Sequence, residues 1–78
     1  MSKKSKLKKE IDDLEREIEV LEQKRERSQT AVIRALITNT KASQEDVQYF
    51  LTFSNLIDND RESLRKLYAE LDGLTKKK

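Results

Sequence analysis

No cysteine, histidine, tryptophan or proline occurs in this chain of 78 residues, and Gly73 is its single glycine. Each absence removes a class of chemistry. Without cysteine there is no disulfide, no thiolate nucleophile and no zinc–thiolate site, and the redox compartment is left open. Without histidine the side chain most used for proton transfer near neutral pH is missing. One glycine cannot build a phosphate-cradling loop, which needs several small residues where the backbone approaches the anion. Sheets joined by tight turns are equally disfavoured, because those turns draw on glycine and proline. No apolar run approaches the roughly 18 residues that span a bilayer. The opening Met1-Ser2-Lys3-Lys4 is followed by no apolar stretch, so a secretory signal is not expected, and Ser2 offers no myristoylation acceptor. The expected setting is the cytoplasm or another soluble intracellular compartment.

What is present is charge and helical periodicity. Charged residues make up 41% of the chain and hydrophobic residues 35%, so a lone compact core would be marginal at this length. Net charge is only +2, yet it is unevenly spread. Residues 1–9 carry five lysines and no acid, residues 10–22 carry seven acids against Arg16 alone, and residues 76–78 are three lysines.

From Leu7 the apolar positions fall at 7, 11, 14, 18 and 21, with Ile11 and Ile18 at heptad position a and Leu7, Leu14 and Leu21 at d. The register then meets Arg25 at a and Ser28 at d before Val32 and Ala35 restore it. A first helix is predicted over about 5–38, after a basic tail at 1–4. Residues 39–43 form a polar connection, and Ser43 with Asp46 three residues on resembles a capping box. A second helix is predicted over about 44–72, with Gly73 as a left-handed terminator, Leu74 folding back and a basic tail at 76–78. The expected fold is all-α: two long antiparallel helices in a single helical-hairpin domain, 5–75, with coiled-coil-like packing and association as a dimeric four-helix bundle.

A parallel dimer of extended first helices is the rival arrangement. It sets Glu10 against Glu15 and Glu17 against Glu22 of the other copy, and both pairs repel. Folding back instead brings Glu17 to Glu22 near Arg61, Arg65 and Lys66, and Arg25 near Asp58.

Residues 31–57 hold 14 of the 27 hydrophobic residues in a third of the chain. On helix 1 they spread over about 240° and on helix 2 over about 220°, roughly twice the stripe one neighbour can cover. Val32, Ile33, Leu36, Ile37, Tyr49, Phe50, Phe53, Leu56 and Ile57 are therefore the candidate protein interface, for a second copy, a helical protein partner or both. Five or six such side chains left in water would forgo on the order of 10 kcal/mol.

The remaining candidates are weaker. Asp12, Glu15, Glu19 and Glu22 share a helical face, but an exposed flank lacks the burial that acid–base or metal chemistry requires. Asp58-Asn59-Asp60 lacks the downstream glycine and glutamate of a calcium loop. Tyr49, Phe50 and Phe53 could stack on bases, yet no Lys or Arg lies between Lys41 and Arg61. In a hairpin Lys3, Lys4, Lys6, Lys8 and Lys9 approach Lys76, Lys77 and Lys78, and this basic tip would attract phosphate backbones without reading sequence. The functional expectation is a non-enzymatic interaction module without cofactor, metal or catalytic residues: a small adaptor, co-chaperone, regulator or assembly subunit. The alternative is a nucleic-acid-binding accessory protein acting through the lysine tip.

Overall fold

The computed structural model describes residues 2–76, and among them there are two α-helices and no strand. Helix α1 covers Lys3–Ile37 and α2 covers Gln44–Lys76. Both starts follow from serine chemistry. The Ser2 hydroxyl accepts from the Ser5 amide at 3.1 Å, so α1 begins two residues earlier than the sequence pattern suggests and takes Lys3 and Lys4 into the helix. At α2 the Ser43 hydroxyl accepts from the Asp46 amide at 3.1 Å and donates to the Asp46 carboxylate at 2.9 Å. The reciprocal bond of a capping box thus runs between side chains, because Asp is a methylene shorter than Glu.

The end of α1 turns on Asn39, whose φ of 55° is left-handed. The Thr40 amide donates to the Ala35 carbonyl at 2.8 Å and the Asn39 amide to the Leu36 carbonyl at 3.4 Å. This paired pattern closes the orphan carbonyls of the last turn, and asparagine tolerates the conformation better than most residues. Gly73 does not terminate anything. It lies inside α2 without positive φ, a Cβ there would meet nothing within 4 Å, and Leu74 continues the helix half-buried. The terminator is unnecessary because α2 keeps packing past Gly73, which outweighs the roughly 1 kcal/mol that a glycine costs relative to alanine. The expected end at 72 and the tail at 76 are corrected accordingly; Lys77 and Lys78 lie outside the described residues.

The helices run antiparallel in a rod of 58 × 19 × 14 Å. Arg25 Nη1 donates to Ser54 Oγ at 3.1 Å, and Arg61 meets Glu22 at 2.9 Å. Further from the turn the Tyr68 hydroxyl donates to Glu15 at 2.7 Å, and Lys3 lies 3.8 Å from Glu70. Leu7, Ile11, Ile18 and Ala35 of α1 and Ile57 of α2 are buried between the helices, whereas Leu14, Leu21, Val32 and Leu64 are half-buried.

The heptad interruption is a polar layer rather than a gap. Arg25 lays its guanidinium 5.7 Å from the Phe50 ring centroid while bonding Ser54, and Ser28 is buried by donating to the Arg25 carbonyl at 2.9 Å. Asp58, the expected partner of Arg25, stays exposed, because stacking on Phe50 carries the guanidinium to Ser54, one turn nearer the bend. Of the other expected ion pairs only Glu22–Arg61 forms; Arg65 instead meets Glu62 on its own helix at 2.6 Å. At i, i+3 the two side chains are already neighbours, so that pair needs no contact across the hairpin.

Candidate protein interface

Near the bend one neighbour per helix is insufficient. Leu36 is 76% and Ile37 79% exposed, and Ile33, Val47, Tyr49, Leu51 and Leu56 are exposed as well. Their positions separate them into two faces. Counting about 100° per residue, Leu36, Ile33 and Ile37 lie about 100°, 160° and 200° round α1 from the buried Ala35 in one sense, Ile37 pointing nearly straight away from α2. Val47 and Leu51 lie about 80–120° round α2 from Ile57, on the same side of the hairpin. Tyr49 and Leu56 are displaced from Ile57 by about 80–100° in the opposite sense.

The Tyr49 face is a groove of about 470 Å³ lined by Lys24, Arg27, Ser28, Glu45, Asp46, Tyr49 and Phe53. Tyr49 and Phe53 stack along its α2 wall, with ring centroids 6.0 Å apart and planes inclined by 9°. The depression continues away from the bend, lined by Glu17, Val20, Leu21, Lys24, Leu56 and Asp60. Among the described residues Lys24, Arg27 and Glu45 take part in no ion pair.

Not every expected interface residue is available. Ile57 is 0% exposed, so it belongs to the hairpin interior and is withdrawn from the interface. Facing α1 directly, it consumes its apolar area within the chain. Val32, Phe50 and Phe53 are half-buried, and Arg25 covers the Phe50 ring. Val20, Val47 and Leu51 are exposed and join the candidates. The last two lie inside the wide apolar arc of α2, which was signal enough to find them. Val20 lies outside the 31–57 cluster and becomes visible only when α2 sets Leu56 beside it.

At the far end the lysines divide. Lys3 approaches Glu70, and Lys4, Lys6, Lys8 and Lys9 are exposed along the first turns of α1. Lys76 closes α2, but its side chain, with Lys77 and Lys78, is outside what is described. The eight-lysine tip is therefore seen only in its α1 part. Among the described residues, no three acidic side chains converge closely enough to hold a metal ion, and no helix is long and apolar enough to cross a membrane.

One contact on the Tyr49 face is repulsive. Glu17 of α1 faces Asp60 of α2: the proton of a neutral Glu17 can be shared with Asp60, whose negative charge also disfavours ionisation. Both effects hold the Glu17 carboxyl above its ordinary value of 4.5. The Asp60 Oδ2 atom is buried without a hydrogen-bond partner. A raised carboxyl contributes stability that is complete below its unfolded value and is lost as pH rises through the folded one. Once pH exceeds the folded value Glu17 loses its proton and its contact with Asp60 turns repulsive. At pH above the folded Glu17 value, Asp60→Asn is expected to raise the melting temperature, and it is expected to remove the gain that acidification toward 4.5 gives this pair. Glu62 runs the other way: bonding to Arg65 and its charge hold it low, so that contribution is lost on acidification. Comparing Asp60→Asn with the parent chain across pH isolates the first effect. Parallel melting curves at pH 7 and pH 4 would show that the two carboxylates do not interact.

Compared with protein families, curated proteins and solved structures, the chain matches none of them.

Proposed function

We propose that the chain is a non-enzymatic protein–protein interaction module. It self-associates through its turn-proximal half into a dimeric four-helix bundle with coiled-coil-like packing, docks a helical protein partner, or does both. The role that suits it is that of a small adaptor, co-chaperone, regulator or assembly subunit. The supporting observation is the exposure of Ile33, Leu36, Ile37, Val47, Tyr49 and Leu51 around a hairpin whose interior is already filled. Isolated exposed apolar residues are ordinary, whereas a contiguous apolar girdle marks a surface that is covered in use. Two exposed faces also mean that one neighbour leaves a second face open, which suits a module joining its own copy to something else. Sedimentation equilibrium of the intact chain at tens of micromolar is expected to report twice the 9.2 kDa chain mass. A folded monomer at that concentration would overturn self-association.

A second reading, nucleic-acid binding through the lysine tip, draws on one observation. Five lysines occupy the start of α1, whose first turn contains no acid. Cations there oppose the helix dipole at a few tenths of a kcal/mol each, about 0.3–1 at most when exposed, so they do not serve helix stability. Retardation of a DNA or RNA duplex at low salt, weakened by deleting residues 1–6 and 76–78, is the expected result of that reading. An intact chain that leaves the duplex unshifted would end it.

A further inference from the structure

Building on the self-association proposed above, we propose that the second copy seats on the Tyr49–Phe53 face with both bends at the same end, each α1 lying over the other copy's α2. Two hairpins packed face to face about a two-fold axis have two simple arrangements. An axis along the helices sets α1 over α2 at equal height. An axis across them sets α1 over α1 and α2 over α2, because a two-fold contact is self-complementary.

Charge decides between them. The α1 rim of this face carries Lys24 and Arg27, with Glu17 further from the bend, and the α2 rim carries Glu45 and Asp60. With the axis along the helices, the basic rim of each copy meets the acidic rim of the other, twice over. With the axis across them, Lys24 and Arg27 meet their own counterparts, and like charges facing each other across an interface are strongly disfavoured. Heights agree as well. Glu22 pairs with Arg61 and Arg25 with Ser54, so Lys24 is level with about residues 55–59 of α2, and Lys24 and Asp60 line one depression. The second copy's ammonium then arrives where the Asp60 Oδ2 atom is buried and unpaired and where Glu17 crowds it. A cation from the second copy adds to Lys24 of the same chain in offsetting the negative charge of Asp60 there.

The area suffices. A stable interface needs about 800 Å² per partner. That is a modest share of the 6454 Å² of accessible surface, and the broad face of the rod measures 58 × 19 Å. The opposite face, with Ile33, Leu36 and Ile37, is apolar but carries no comparable pattern of opposite charges at the bend.

The test uses two reversed chains, Lys24→Glu with Arg27→Glu and Glu45→Lys with Asp60→Lys; Asp46 is kept because Ser43 caps α2 through it. Circular dichroism verifies that both remain helical, and Asp60→Lys places a cation beside Glu17, which favours the hairpin fold. Each reversed chain alone is expected to dissociate at least about tenfold more readily than the parent at low salt, and an equimolar mixture is expected to recover the parent's mass. Ile37→Asp is expected to leave that mass unchanged. A parent that is monomeric overturns self-association itself. A dimeric parent whose reversed chains keep its mass, or whose mixture fails to recover, overturns only this face and orientation. So does dissociation by Ile37→Asp.

Discussion

Ile57→Ala is expected to cost about 2–5 kcal/mol of stability, the range for truncating a fully enclosed aliphatic side chain. Ile57 is the one large side chain described as completely shut off from solvent, at 0% exposure, and the pairs Glu22–Arg61 and Arg25–Ser54 set it level with about residues 22–26 of α1. A hairpin gives each helix a single neighbour and little freedom to collapse around a hole, so the cavity penalty adds to the lost transfer energy. In a domain of this size each kcal/mol moves the melting temperature by about 4–8 °C, so the transition should fall by about 8 °C or more. Leu56, the preceding residue, is the control. It is 43% exposed, and Leu56→Ala should shift the melting of the dilute chain by far less. Thermal melting followed by far-ultraviolet circular dichroism measures both. Equal shifts would place the seam of α2 elsewhere.

Tyr49→Asp is expected to abolish association while sparing the helices. Tyr49 is 60% exposed in the single hairpin, so its ring supports the hairpin mainly through stacking on Phe53, whereas a second copy on that face would enclose it. Enclosing a carboxylate without a partner costs several kcal/mol, and even a 2 kcal/mol loss weakens association about 30-fold. Sedimentation at tens of micromolar should therefore move from the two-chain mass to one of 9.2 kDa, with the helical spectrum retained. An unchanged mass would show that Tyr49 stays in water in the assembly, and the face that carries it would be excluded.

Much of the architecture was legible before any coordinates. The alternation of four and three from Leu7 marked the seam, and Leu7, Ile11 and Ile18 are buried where that pattern put them. Ser43 marked the start of α2, and the breadth of the apolar arcs near the bend announced side chains that one partner could not cover. Other features were not legible, for local physical reasons. Ser2 and Asn39 are commonplace residues whose capping roles emerge only when backbone amides are placed beside them. Gly73 reads as a stop in isolation, but packing along α2 outweighs its intrinsic preference. Arg25 chose Ser54 over Asp58 because the Phe50 ring lay across its path, a fact of three dimensions rather than of spacing.

Composition and periodicity alone thus dictated two long helices, an absence of thiol and imidazole chemistry, and an apolar excess around the bend, because these depend on residue type and on the repeat of a single helix. Which of those apolar residues turn inward, which split onto opposite faces, and which charges share a groove depended on how far each helix is rotated about its own axis. That rotation is set by packing between segments some 30–50 residues apart, as in Arg25 with Ser54 and Glu15 with Tyr68. It buried Ile57, left Tyr49 in water and brought Glu17 against Asp60.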